Sequence, residues 1–247
     1  IFLRMEDERM MRLDRYLCET GFGTRSQVKA LLKKGLVQVD GEIVKKAELK
    51  IDEERAQVFC GGAAAVYQKY IYLMMNKPPG VLSATEDRRQ KTVLDLVEEP
   101  VPDGIFPVGR LDKDTEGLLL LTNDGELAHR LLSPKKHVDK IYEARVEGRV
   151  TGEHVRRFEE SLEIGEKRPT LPAVLEILSS GEESRVRITI REGKFHQIKR
   201  MFEAVGCRVL WLKRLSMGSL QLDGSLAPGE YRALRPEETE RLKEQTE

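Results

Sequence analysis

The apolar positions of the chain change period several times, and each change marks an element. From Met11, the residues Leu13, Tyr16 and Leu17 recur at helical spacing, and Gly21 and Gly23 then break the helix. A second helical stripe follows at Val28, Leu31 and Leu32, with Lys29, Lys33 and Lys34 off it. Thr24 and Gln27 have the spacing of a capping box at its start, where each side chain satisfies a free backbone donor. Gly35 fits a left-handed cap at its end. Val37 and Val39 then alternate as in a strand, and Asp40-Gly41 is a strong hairpin turn signal before Ile43 and Val44.

From Tyr70 the pattern becomes richer in strands. Tyr70 to Met75 reads as a strand, stopped by Asn76-Lys77-Pro78-Pro79-Gly80. Leu118 to Thr122 is a short apolar strand, and Asn123-Asp124-Gly125 leads from it into a helix carrying Leu127, Leu131 and Leu132. Ile141 to Val146 alternates, and so does Arg185 to Arg191, with Val186, Ile188 and Ile190 on one face. Ile198, Met201, Phe202 and Val205 form one helical stripe, and Cys207 to Leu215 returns to strand. Many strands with few helices favour an α+β fold with a mixed, mainly antiparallel sheet. Gly61 to Ala65 has the composition of a tether, so we expect a domain over 11–59, a linker over 60–69 and a second domain over 70–236. The last stretch, from Pro236, reads as an acidic, fraying helix, set apart as a tail over 237–247, and residues 1–10 as an extension.

Composition narrows the class. The 247 residues carry 42 basic and 42 acidic side chains, a formal net charge of zero, which by itself argues against a nucleic-acid partner. The distribution is uneven. Residues 12–50 hold nine basic and five acidic residues, and residues 185–214 hold nine and two. On the second segment Arg187 and Arg191 share the polar face of a strand, a face suited to phosphates. The apolar runs fall well short of the roughly 18 residues that a membrane helix needs. Cys18, Cys60 and Cys207 have no disulfide or zinc spacing, as expected of reduced thiols in the cytoplasm.

The segment Gly109-Arg110-Leu111-Asp112-Lys113-Asp114-Thr115-Glu116-Gly117 places carboxylates and cations on a glycine-bounded loop ahead of a buried strand. By composition it fits a solvated turn, a capping network or an acid–base carboxylate pair, and it lacks the ligand spacing of an EF-hand. His196 has no second ligand at a useful spacing for a metal.

Two resemblances sharpen this picture. Arg12-Leu13-Asp14-Arg15-Tyr16-Leu17, Gly23-Thr24-Arg25-Ser26-Gln27 and Gly35-Leu36-Val37-Gln38-Val39-Asp40-Gly41 occur in the order of the S4 RNA-binding domain, an αL-type fold of two short helices and a hairpin. The loop and strand from Gly109 to Gly125 resemble the signature of the RsuA-type pseudouridine synthases. Asn76 to Gly80, Lys140-Ile141-Tyr142 and Glu192 to Met201 resemble three further blocks of that family, in its order.

The resemblance implies isomerisation of uridine to pseudouridine in ribosomal RNA, without cofactor or metal. It implies Asp112 as the catalytic carboxylate, Lys199 as its cationic partner, and Tyr142 as the residue that stacks on the base and takes the ribose proton. It implies RNA contacts for Arg110, Arg12, Arg25, Lys29, Lys33, Lys77, Lys194, His196 and Arg200. At position 194 the family usually has arginine; lysine keeps the charge and loses the bidentate geometry. The segments at 171–176, 196–197 and 227–231 lean towards 16S RNA of the small subunit. The same reaction on 23S RNA and a non-catalytic ribosome-assembly factor remain alternatives, and an assembling subunit is a candidate partner. A cytoplasmic monomer is expected.

Overall fold

The computed structural model describes residues 10–53, 55–67, 69–98, 104–133 and 136–245. The expected extension at 1–9 and the last two residues lie outside these. The chain divides into two compact units between Lys69 and Tyr70.

The first unit contains β1 (Met10–Arg12), α1 (Leu13–Glu19), α2 (Arg25–Lys33), β2 (Val37–Val39), β3 (Glu42–Ile43), β4 (Lys50–Asp52), β5 (Val58–Cys60) and β6 (Ala63–Ala65). Its core is the helical stripes met by the strands: Leu13, Tyr16, Leu17, Val28 and Leu32 pack with Val37, Ile51 and Val58. Gln27 closes the capping box, its Oε1 accepting from the Thr24 backbone N–H at 2.8 Å. Asp40 and Gly41, both at positive φ, turn β2 into β3. Arg25, Lys29 and Lys33 are exposed on α2. Arg12 is committed to Asp14, donating at 3.0 and 2.7 Å; that bond and its charge hold the Asp14 carboxyl below its ordinary range.

The expected tether is corrected here. Ala63 to Ala65 is a strand, paired antiparallel with β5 so that Cys60 faces Ala63 and Val58 faces Ala65. Gly61 and Gly62 both have positive φ, which makes them the two central residues of a tight hairpin turn. Tyr16 fastens the strand by donating its hydroxyl to the Ala65 carbonyl at 2.9 Å. The glycines serve a turn geometry, and composition alone does not distinguish that from a linker.

The second unit contains β7 (Tyr72–Lys77), β8 (Phe106–Pro107), β9 (Glu116–Thr122), α3 (Gly125–Leu132), β10 (Lys140–Glu147), α4 (Gly152–Glu160), β11 (Val174–Ser179), β12 (Glu183–Ile190), α5 (Gln197–Ala204), β13 (Arg208–Met217), β14 (Leu220–Gln221), β15 (Tyr231–Ala233) and α6 (Pro236–Glu244). Among the described residues it is built on one nine-stranded sheet, in the order β11-β12-β10-β13-β9-β7-β15, with β14 beside β13 and β8 beside β9. The pairings are antiparallel except β13 with β9, which is parallel over two residue pairs. The fold is α+β with a mixed, mainly antiparallel sheet.

Both faces of the central strands are covered. Leu73, Met75, Leu119 and Leu121 enter one core, and Tyr72, Met74, Leu118 and Leu120 enter the other. That is why these strands read as continuous apolar runs rather than as alternations. The expected fraying tail is also corrected. Pro236 starts α6, and Leu242 on it is fully buried in the second core, so the helix is part of this unit. Among the described residues, no helix is long and apolar enough to cross a membrane.

Candidate active site

Asp112 lies on the loop between β8 and β9, and that loop is gripped through its backbone. Ser83 clamps Leu111 from both sides: its hydroxyl donates to the Leu111 carbonyl at 2.9 Å and accepts from the Leu111 N–H at 3.1 Å. Lys77, at the end of β7, sends its ammonium under the loop. Its Nζ donates to the carbonyls of Thr115 at 2.9 Å, Pro78 at 3.0 Å and Lys113 at 3.2 Å. Gly80 donates to the Lys113 carbonyl as well, at 2.7 Å. Leu111 is buried beneath the loop, so the side chain that follows it is turned outward.

Lys77 corrects an expectation. It is fully buried and its three donors are used by carbonyls, so it is a strut for the Asp112 loop and not an RNA contact. Burial pulls its pKa down to about 8, against the pull of Asp114 and Asp112 in the other direction. The sign of the resulting pH dependence is fixed. Between about 8 and the ordinary value of 10.5 the unfolded chain binds the proton more tightly, so this group makes stability rise with pH across that window. Lys77→Met is expected to flatten that rise. It should also cost about 3 kcal/mol at neutral pH through the orphaned carbonyls, as read by urea unfolding at several pH values.

The opposite wall comes from α5 and the turn before it. Lys199 reaches Asp112 Oδ2 at 3.0 Å and Asp114 Oδ1 at 2.6 Å, and so bridges two carboxylates of one loop. Burial opposes the charge of Lys199, but the hydrogen bonds it donates to Asp114 and Asp112 outweigh it and raise its pKa above the ordinary value. Burial likewise opposes ionisation of Asp114, and the bond to Lys199 overcomes it. His196 sits in the left-handed region at φ 49°, with Nε2 at 3.6 Å from Asp112 Oδ1. Its ring stacks on Phe195 at 3.8 Å between centroids, and Phe195 is itself exposed.

A cleft of about 640 Å³ opens beside Asp112. Arg110 is exposed at its border, Phe195 and His196 form one side, and Tyr142 lies against it from β10. Tyr142 is 7% exposed, with its ring joined to the core below. The structure thus brings together Asp112, Lys199, Tyr142, Arg110 and His196. It places Arg12, Arg25, Lys29 and Lys33 in the first unit.

Two further expectations change. Lys194 borders the cleft, but its ammonium donates to the carbonyls of Arg168 at 2.6 Å and Pro169 at 2.5 Å. Arg200 pairs with Glu166 at 2.8 Å and donates to the carbonyls of Phe195 and Ile164. Both cations hold the 164–169 segment against the entry of α5. The strand arginines read as a phosphate face are also paired, Arg187 with Glu176 and Arg191 with Asp139, as is their neighbour Arg185 with Glu143. Their partners come from neighbouring strands and the turn before β10, which a count along one segment does not include.

Sequence reasoning missed Ser83, Asp114 and Phe195. The signal for Asp114 was present, since it lies two residues from Asp112 on the same loop. Phe195 lies inside the Glu192 to Met201 block, which marks its place and not its role, and Ser83 carries no pattern that marks it. Chemically, the arrangement offers a carboxylate with a fixed cation beside it, in a partly sheltered cleft with an aromatic wall. That suits a nucleophile or an electrostatic partner for a developing positive centre.

Comparison with known proteins decides the family. A family model described as RNA pseudouridylate synthase matches residues 71–204, and the S4 domain model matches residues 11–55. The chain belongs to the RNA pseudouridine synthase family. An RNA pseudouridine synthase of Bacillus subtilis, YtzG, is 51% identical over 236 residues, covering 95% of this chain and 99% of that one. Ribosomal small subunit pseudouridine synthase A of Escherichia coli is 40% identical over 229 residues, covering 92% and 98%. A crystal structure of a pseudouridylate synthase is similar with a TM-score of 0.66 and 37% identity, covering 94% of this chain and 99% of that one. The enzyme is an isomerase acting on RNA, with an S4 domain ahead of its catalytic domain.

Proposed function

We propose that this synthase converts a uridine of 16S ribosomal RNA to pseudouridine, with Asp112 as the carboxylate that acts at the linkage between base and sugar. The observation that carries the reading is the ion pair of Asp112 with Lys199 at 3.0 Å, on the border of a cleft walled by Tyr142. The ammonium of Lys199 fixes the position of the carboxylate and sets a positive charge beside it. Tyr142 stacks on the extruded base, takes the ribose proton as the linkage opens and returns it to the sugar as the new bond forms. Arg110 meets the RNA where the target nucleotide leaves its stack. The choice of the small subunit is supported by the names of the relatives at about 40% identity, which match nearly the full length of both chains.

In this reading the first unit engages folded RNA through the exposed cations Arg25, Lys29 and Lys33. The enzyme works in the cytoplasm as a monomer, on naked RNA or on an assembling subunit. Mapping of pseudouridine in 16S and 23S RNA from cells lacking the protein tests the reading. One position in 16S RNA should lose its signal and regain it when the protein is restored. A loss in 23S RNA would move the target to the large subunit, and unchanged maps would remove the assignment to ribosomal RNA.

A further inference from the structure

Two cations border the cleft from below, and the chemistry above does not use them. Lys140 begins β10 and is 5% exposed, and Arg214 lies on β13 and is 2% exposed. Tyr142 is two residues on from Lys140 and is the cross-strand partner of Arg214, so the three side chains leave the same face of the sheet. All three border the cleft that holds Asp112. The protein gives the two cations backbone carbonyls rather than carboxylates. Lys140 Nζ donates to Val138 at 3.2 Å, and Arg214 Nε donates to Leu118 at 2.7 Å. Arg214 Nη2 is buried with no hydrogen-bond partner. Burial and the neighbouring Arg214 charge pull Lys140 down to about 8. Two adjacent, desolvated cations at one site are costly unless something entering the site brings acceptors.

We infer that Lys140 and Arg214 receive the two carbonyl oxygens of the target uracil, and that they select this base. The inference rests on the reading of Asp112 as the group that acts at the sugar. A base lying on Tyr142 turns an edge towards the residues flanking that ring, and these are Lys140 on the same strand and Arg214 on the next. The base is the part of the nucleotide that enters deepest once it leaves the stack, so the buried cations meet the base and not the phosphates.

The chemistry of uracil fits two such donors. When the bond from N1 to C1′ breaks, its electron pair stays with the base and spreads onto O2 and O4. Donors already aimed at those oxygens stabilise the charge as it develops. The ring then turns over about the axis through N3 and C6. C5 forms the new bond to C1′ and loses its proton, and N1 takes one up, so no atoms are gained or lost. That turn exchanges O2 with O4, and the same two cations face an acceptor on each side before and after it. Cytosine carries an amino group in place of O4 and would present a donor to a donor, which disfavours it.

The test uses the full-length enzyme and an rRNA fragment whose mapped target is uridine, 2-thiouridine or 4-thiouridine, sulfur being the weaker acceptor. Lys140→Met is the principal variant, because methionine fills the same space without charge. Arg214→Lys is the second, since it keeps a cation where the Leu118 carbonyl needs a donor. We expect the unaltered enzyme to slow about tenfold on each thio-base, and Lys140→Met to slow about tenfold on uridine. On at least one thio-base, Lys140→Met should then lose little more, because the contact is already gone. If the penalties multiply for both thio-bases, the cations do not touch the carbonyls and the inference fails. Lys140→Met decides this alone if Arg214→Lys does not fold. Asp112→Asn run on the same three substrates separates the two levels: turnover by that variant would overturn the reading of Asp112 itself.

Discussion

Replacing Asp112 with asparagine is expected to lower pseudouridine formation on the order of 10⁴-fold, the scale on which single members of a catalytic constellation fail. Fold and RNA binding should survive, for reasons visible in the site. The loop is held through its backbone by Ser83 and Lys77, not through the Asp112 side chain. Lys199 is not orphaned either, because its 2.6 Å bond to Asp114 remains. Asparagine occupies the same volume and lacks only the charge and the nucleophilic oxygen. Single-turnover rates and RNA retention on filters read the two effects separately. A loss below tenfold would exclude Asp112 as the reacting group.

The second large effect is expected at Gly117, where alanine should cost more than about 4 kcal/mol, in the range tied to backbone strain and steric conflict. Gly117 has φ of 99°, and a Cβ there would lie 2.2 Å from the Arg214 carbonyl oxygen. The neighbour is backbone and cannot swing aside. The position is also the seam of the sheet, since the backbone pairing of β9 with β13 runs, among the described residues, over two pairs, Glu116 with Lys213 and Gly117 with Arg214. Arg214 Nε on the Leu118 carbonyl and Trp211 Nε1 on Glu116 at 3.0 Å reinforce it. The Asp112 loop precedes β9, while Tyr142 lies on β10 beyond β13. Opening the seam therefore moves the carboxylate away from the aromatic wall, and activity should fall with stability. An unfolding midpoint near that of the unaltered enzyme would show that the close approach is dispensable.

Much of the local structure was legible in the sequence because local rules set it. The Thr24–Gln27 capping box, the Asp40-Gly41 turn and the paired apolar strands at 72–77 and 116–122 depend on neighbours within a few residues or on burial of a whole strand. The Asp112 loop was legible through its ordered motif. What stayed hidden depends on residues far apart in the chain. Lys77 looked like a cation free to meet RNA until the carbonyls of residues 113 and 115 were brought over it. Arg187 and Arg191 looked like a basic face until Glu176 and Asp139 came alongside. The glycines at 61 and 62 looked like slack until their positive φ values made a turn.

Burial sorts the cations of this chain by how they respond to the surrounding solution. Arg25, Lys29 and Lys33 are bathed in counterions, and any phosphate they meet must displace them. Lys77, Lys140 and Arg214 are enclosed, where dissolved ions screen little. Raising the ionic strength is therefore expected to weaken the proposed RNA contacts at Arg25, Lys29 and Lys33 more than it disturbs the enclosed cations Lys77, Lys140 and Arg214. In brine this enzyme would lose its grip on substrate before its enclosed cations felt the change.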